Sequence, residues 1–371
     1  MGGKVVKSID RLACFLPICF GLKYMICNLR INMVHFVKIG SVCCLLLLYF
    51  NTAAQTVDCN NTKCIPVTVK IVGKDFALPP PTTLPAPLIN LQSGQYPFGT
   101  VISFDIPVGL NIQSANTLSQ LTFEYMWDFD NSWKTGTEAA LKRSGTLSVR
   151  TRLGTSTSEI QKHTYQLFYK QVLLIGNSFT QHLPYEPIGW TGNWGMAASA
   201  PDKDYKSTLE RYLQATYSDT KVKIFPTGRI ENDFNNYDFE NQLRYSKTTF
   251  QESDLIVLRF GENVKDWEIP MQDGKANKAY KETIIKFINM VRQNSSARVV
   301  ITSVFWQGFP NTNAVLKEVA DENGYDWVNL IEIGKDNSNY AYGLFTDPGV
   351  AMHPNDKGMK AIADLIYEKI K

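Results

Sequence analysis

Beyond position 64 the sequence has no cysteine: five of the seven lie before residue 55, and only Cys59 and Cys64, in "CNNTKC", follow. A metal site built of thiolates needs more ligands than two, and a small disulfide loop suits an exported chain. Histidine is nearly as scarce, with His163, His182 and His353 the only three after the N-terminal segment. Long apolar runs are missing too. The longest, Ile39 to Phe50, falls short of the roughly 20 residues that a typical spanning helix needs. Nor is there a basic excess in the body of the chain. Six of the 38 Lys/Arg but one of the 35 Asp/Glu lie before residue 55, so the rest is slightly acidic although the whole carries +3. That balance excludes a basic nucleic-acid binder.

What is present suffices for packed cores. Hydrophobic residues make up 44% and charged residues 20% of 371 positions, which argues against wholesale disorder. At roughly 150 residues per domain, the length suggests two. Residues 1–54 read as an N-terminal leader. From Met33, the candidate working start, Lys38 precedes the apolar run, and Thr52, Ala53 and Ala54 follow it. That is a signal-peptide layout with cleavage after Ala54, and it predicts an exported protein with no stable membrane span afterwards. An uncleaved anchor is the competing reading.

Residues 57–168 carry short alternating runs: "IPVTVKIVG", "TVISFDIPVG", "SQLTFEYMW", "GTLSVRTRLG" and "HTYQLFYKQ". Gly, Pro, Asn and Ser separate them, the pattern of an all-β sandwich. The proline-rich "LPPPTTLPAPL" cannot be a central strand, because proline has no N–H to donate. Residues 171–371 instead alternate five strands with helices. The strands are "QVLLIGNSF", "KVKIFPTG", "DLIVLRFGEN", "ARVVITSVFW" and "YDWVNLIEI". This predicts an α/β domain with a parallel sheet covered on both faces, its active groups at the C-terminal strand ends.

Those ends hold the candidate chemistry. Strand one ends in Gly176-Asn177-Ser178, strand two leads to Gly228, strand three to Gly261 and Asn263, and the last helix follows Asp347 and His353. A serine hydroxyl is a weak nucleophile that needs a base. His353 is the best placed, since His163 lies in the β region. The oxyanion of acyl transfer needs preorganised donors. The Ser178 and Gly228 N–H groups and the Asn263 amide can supply them. The bland alternatives are a helix-capping serine, a turn histidine before Pro354 and a polar strand-end asparagine. The elbow Gly-x-Ser-x-Gly does not apply, because position 180 is threonine.

Taken together, "GNSFT", "TGRIEND", "FGEN" and "MHPNDKGM" resemble the four blocks of the SGNH, or GDSL, hydrolase superfamily, over about 171–371 only. The resemblance implies a flavodoxin-like three-layer fold and ester hydrolysis, with Ser178 as nucleophile, Gly228 and Asn263 at the oxyanion hole and His353 as base. Many members deacetylate carbohydrates. Two positions depart from the pattern. Asn177 stands where many members have Asp. Val350 stands where an Asp usually precedes the histidine by three, which leaves Asp347 or a backbone carbonyl to orient the ring.

Trp190 and Trp194, in the glycine-containing loop "IGWTGNWGMAAS", are candidate substrate-binding aromatics. His182 can line the pocket or sit at the surface, and Glu262 and Arg229 read as solvated or structural. The expectation is an exported serine esterase acting on an acetylated glycan, with no metal or organic cofactor implied. Two alternatives stand beside it: a cell-surface glycan-binding protein with a vestigial hydrolase domain, favoured by the absent Asp at 350, and a short-chain lipid esterase.

Overall fold

The computed structural model describes residues 84–107, 120–293 and 296–371. The leader, Cys59, Cys64, the run "IPVTVKIVG" and most of the proline-rich segment lie outside the described residues. The described residues divide into two compact units, one of 84–88, 105–107, 120–123 and 150–159, the other of the rest.

The β region comprises β1 (Leu88–Ile89), β2 (Gly94–Pro97), β3 (Val101–Asp105), β4 (Thr122–Trp127), β5 (Lys134–Thr135), β6 (Glu138–Ala140), β7 (Gly145–Leu153), β8 (Ser156–Thr157) and β9 (Gln161–Phe168). They form two sheets, of order β1-β3-β6 and β2-β9-β7-β4-β5, with β8 on β7. β7 and β9 pair antiparallel, whereas β2 joins β9 parallel. In the smaller unit, β7 turns through Gly154 into β8, and Thr151 and Ser158 exchange backbone and side-chain bonds of 2.9 Å.

The larger unit is organised by five parallel strands: β10 (Gln171–Gly176), β11 (Lys221–Pro226), β12 (Leu255–Arg259), β13 (Arg298–Thr302) and β14 (Asp326–Val328), in the order β11-β10-β12-β13-β14. β12 is buried throughout and β10 from Val172 on, which is why they read as continuous apolar runs. The predicted fifth strand is shorter than its apolar pattern. Leu330 N–H donates to Ser303 Oγ and Ile331 N–H to Asn329 Oδ1, and Ile331–Gly334 turn helical.

The helices start at side-chain caps. Asp204 accepts from Ser207 N at α1 (Tyr205–Thr216), Asn277 from Tyr280 N at α2 (Lys278–Arg292), and Asn355 from Gly358 N at the C-terminal helix. Proline opens α3 (Pro310–Asn323), and Gly324, at φ 66°, closes it in the left-handed region. On one face of the sheet Leu173, Ile175, Ile256, Leu258, Val299 and Ile301 pack with α2 and α3. Each fully buried aliphatic there contributes roughly 1.5–3 kcal/mol. α1 packs against the C-terminal helix and β11, and that helix also meets β14.

Gly176 closes β10 where no side chain fits. A Cβ there would overlap Thr180 Oγ1, itself held by Tyr205 OH at 2.6 Å, and would come within 3.0 Å of the Arg259 carbonyl oxygen. Gly176→Ala should therefore cost about 1–3 kcal/mol, the usual penalty of overpacking. Urea unfolding should show a lower midpoint at an unchanged slope, and an unchanged midpoint would refute the crowding.

Candidate active site

The parallel register aligns the strand ends. Gly176 of β10 stands opposite Pro226 of β11 and Arg259 of β12. Two residues further on, those strands reach Ser178, Gly228 and Gly261. Thr227 N–H donates to the Gly176 carbonyl at 2.9 Å, which holds the second turn beside the first. The chain then tightens at Asn177, whose carbonyl accepts from Thr180 N and Gln181 N and whose Oδ1 accepts from Phe179 N. Half-buried Ser178 thus stands at the turn, and among the described residues no acceptor takes its N–H.

The last turn delivers the candidate base. α4 (Pro348–Ala351) is a single helical turn, followed by His353 and by α5 (Asp356–Ile370). Ser178 Oγ lies 2.7 Å from His353 Nε2, across 175 positions of sequence. His353 Nδ1 lies 2.7 Å from the Gly349 carbonyl oxygen. A carbonyl only accepts, so Nδ1 carries the hydrogen and Nε2 presents its lone pair to the serine. The structure does not bring Asp347 to the ring. Its Oδ1 accepts from Val350 N at 3.0 Å and caps α4, as a turn aspartate before proline readily does.

Aromatic side chains wall in the imidazole. Phe179 lies 4.9 Å away centroid to centroid, and Trp306 meets the ring edge-on at 5.5 Å with its Nε1 fixed on the Met352 carbonyl. His353 is 5% exposed. Burial is the main cause that lowers its pKa to about 4. The hydrogen bond to Gly349 opposes this, and the nearby Arg259 and His182 charges add to it.

Behind the turns lies a buried charged cluster. Arg259, fully buried at the end of β12, donates from Nη2 to Glu262 Oε1 at 2.6 Å and from Nη1 to Glu262 Oε2 at 2.9 Å. Its Cζ also stands 3.9 Å from the Phe179 ring centre. Glu262 further accepts from Asn177 Nδ2 at 2.7 Å and Phe305 N at 3.0 Å. A second buried carboxylate, Glu231, accepts from Gly261 N at 2.7 Å and from Asn263 Nδ2 at 3.3 Å. Glu262 is therefore not a solvated neighbour of the motif, whereas Arg229 stays at the surface, paired with Asp233 at 2.8 Å.

Sequence reasoning overlooked Arg259 and Glu231 altogether. The available signal was the arginine itself, a charge at the end of an apolar strand that has to find a partner. The tryptophans divide. Trp190 is buried, with Nε1 on the His182 carbonyl and its ring edge-on to Trp194, so it packs the loop rather than facing solvent. Trp194 is half-buried, with Nε1 on the Ala198 carbonyl. His182 is also half-buried, bridged to Trp194 with Nδ1 against the Leu183 carbonyl. Among the described residues no group of His, Cys, Asp and Glu is arranged to hold a metal ion, and no helix is long and apolar enough to cross a membrane.

No protein-family model and no curated protein matches the chain. Among solved structures, a family two carbohydrate esterase from Cellvibrio japonicus is similar at 16% identity and a TM-score of 0.34, covering 77% of this chain and 93% of its own. A second crystal structure is similar at 14% identity and a TM-score of 0.36, over 54% of this chain and 95% of that one. A cell-surface-expressed, multi-modular chitinase from a Paenibacillus species follows at 14% identity and a TM-score of 0.19, over 62% and 25%. With scores this low, the chemistry rests on the site's own geometry.

Asp347→Ala removes a cap and leaves the ring's partner in place. It should cost about 1 kcal/mol of stability, typical of a lost N-cap. The NMR titration of the His353 ring should move by less than about half a unit. A carboxylate acting on the imidazole would hold its pKa up, and its removal would lower the value by about one unit or more.

Proposed function

We propose that the chain is an exported serine esterase of the SGNH type that removes acyl groups from carbohydrate, acetyl groups above all. The observation that carries this reading is the 2.7 Å approach of Ser178 Oγ to His353 Nε2, with the opposite ring nitrogen 2.7 Å from a carbonyl that fixes the tautomer. A serine that only capped a helix would need no such partner.

The reaction follows from the atoms in place. His353 Nε2 takes the Ser178 proton as Oγ attacks the ester carbonyl carbon. The oxygen of the tetrahedral intermediate is met by the Ser178 and Gly228 N–H groups and by the Asn263 amide. The imidazolium then gives its proton to the departing alcohol oxygen as the ester bond breaks. Water, deprotonated by the same nitrogen, cleaves the acyl-enzyme and restores the hydroxyl. Throughout, Nδ1–H donates to Gly349, so no residue needs to change tautomer.

The glycan assignment draws support from aromatics on the loops that leave the same sheet edge. Tyr185 follows the nucleophile turn, Trp267 follows Asn263, and Tyr342 lies on the segment whose Ala341 N–H donates to the His353 carbonyl. They are 53%, 74% and 50% exposed and offer faces for sugar rings, a part that buried Trp190 cannot play. The leader pattern supports export, and residues 57–168 are proposed as an accessory β region beside the hydrolase region. The glycan-binding alternative rested on the missing Asp at 350, and the Gly349 carbonyl supplies the orienting acceptor that this absence left open.

Hydrolysis of a chromogenic acetate tests the reading. Wild type should turn it over, and Ser178→Ala should lose at least about a thousandfold while unfolding at the same temperature. A well-folded wild type without turnover would overturn it. The pH profile is a second test. Because burial lowers the His353 pKa, the ring stays neutral and able to accept a proton down to about pH 4. The acid limb of kcat/KM should therefore fall as pH drops through about 4, not near the 6.5 of an ordinary histidine. A limb centred near 6.5 would show that the ring is not buried in the working enzyme.

A further inference from the structure

The geometry points to Glu231 as the positioning residue of the oxyanion hole: it holds the Asn263 amide in the one orientation that can donate. The inference rests on the esterase reading above and deepens it. Glu231 lies three residues after Gly228, in the turn that follows β11, and is 1% exposed. Its two oxygens accept five donors: Gly261 N, Asn263 N, Asn263 Nδ2, Asn177 Nδ2 and Thr227 Oγ1, at 2.7, 3.3, 3.3, 3.2 and 2.6 Å. These donors come from all three turns that supply the candidate oxyanion hole.

The chemistry of the acceptor fixes the chemistry of the amide. A carboxylate has no hydrogen to give, so the Asn263 atom that faces it must be the nitrogen and not the oxygen. One Nδ2 hydrogen goes to Glu231, and the second is left to donate. If the amide flipped, Oδ1 would face the carboxylate, repelled by it, and no N–H would remain in its place. The 2.7 Å bond to Gly261 N and the bond to Asn263 N fix the backbone of the same turn, which sets where that amide starts from.

Glu231→Gln keeps the shape and changes the donor pattern. Five donors then meet one carbonyl oxygen and one NH2 group. Gly261 N, Asn263 N and Asn177 Nδ2 can keep the oxygen, and the Thr227 hydroxyl can rotate to accept from the NH2. The Asn263 amide can meet that NH2 only by turning Oδ1 toward it, which swings its own N–H groups out of position.

The test is a double-mutant cycle on chromogenic acetate hydrolysis, with Glu231→Gln, Asn263→Ala and the pair. Asn263→Ala should lower kcat about 100-fold or more, the usual loss for one oxyanion donor. Glu231→Gln should lower kcat at least about tenfold with KM within about twofold, and the pair should be no slower than Asn263→Ala alone within about twofold. A Glu231→Gln effect that multiplies in full on the Asn263→Ala background would overturn the inference, as would a single variant with unchanged kcat. Should Glu231→Gln fail to fold, Glu231→Asp, which keeps the acceptor and shortens its reach, enters the same cycle under the same criteria. If neither folds, Glu231 is a structural residue and the inference falls. Wild-type turnover that depends on Ser178, together with a multiplicative cycle, would sink this inference alone; absent turnover would sink the esterase reading first.

Discussion

A guanidinium cannot be buried without partners that meet both its charge and its directional N–H groups. Arg259 ends a strand whose residues are all buried, and it meets most of that demand through a two-pronged bond to Glu262, three residues on, and a bond from Nη1 to Asn177 Oδ1, with its buried Nε–H alone left without a hydrogen-bond partner. The pair fixes more than itself. Glu262 can receive both Nη groups only if the chain reverses sharply after β12, and Gly261, at φ 129°, allows that reversal. The carboxylate then has capacity left for Asn177 Nδ2 and Phe305 N. One ion pair thereby ties the nucleophile turn, the Asn263 turn and the end of β13 together. Removing one partner of such a pair typically costs about 3–5 kcal/mol, because the other is left charged and dry. This gives the rim a rigidity that loops alone would lack.

The same charge adds to what burial does at His353, the candidate base. Phe179 meets both Arg259, whose Cζ is 3.9 Å from its ring centre, and His353, whose ring centre is 4.9 Å away. Burial above all, with the nearby positive charge adding to it, disfavours a charge on the imidazole, and its pKa falls to about 4. A carboxylate on Nδ1 would push the other way. The Gly349 carbonyl orients the ring as a carboxylate does but brings only a dipole, so the histidine stays neutral over most of the pH range. The exchange has a cost, since a dipole stabilises the imidazolium of the transition state less than a full charge does. In return, a buried site already holding Glu231 and Glu262 is spared a third carboxylate.

Much of this was legible in the sequence, and the limits are physical. The strand and helix alternation over 171–371 was readable because periodicity is local, and Pro310 and Gly324 mark α3 at both ends. The order of Ser178, Gly228, Asn263 and His353 was readable because each follows a strand or precedes the last helix. Partnership between charges was not. Arg259 meets Asn177 across 82 positions, and Asn177 meets Glu262 across 85. Charged residues beside a motif usually face water, so Glu262 read as solvated or structural, with no partner to name, and Glu231 as nothing in particular. Trp190 misled for the converse reason: a tryptophan in a glycine-containing loop suggests an exposed face, yet this loop folds onto a small core with Met196, Ala341 and Val350. Asp347 misled because a capping aspartate and a ring-orienting aspartate occupy the same stretch of sequence. Only the direction of the side chain separates them.

The strand order explains why the candidate site falls at this edge and why three of its parts need no long-range search to meet. In a doubly wound sheet the first strand lies between the second and the third, so the chain leaves in opposite directions from its two neighbours and opens a crevice at its C-terminal end. Ser178 stands at that crevice because β10 is the first strand. Gly228 and Gly261 flank it because they lie two residues past Pro226 and Arg259, the register partners of Gly176. A slip of one residue in either pairing would carry every side chain of a buried strand to the opposite covered face, into packing shaped for different residues, so the core enforces the register that aligns these turns. The histidine alone arrives from outside this scheme. It is delivered by α4 and α5, whose docking is fixed by the bond between Tyr340 and Pro354 segments and by Asn355 Nδ2 on the Tyr340 carbonyl. The proposed nucleophile and oxyanion donors are thus set by sheet register, and the proposed base by the packing of a single helix turn.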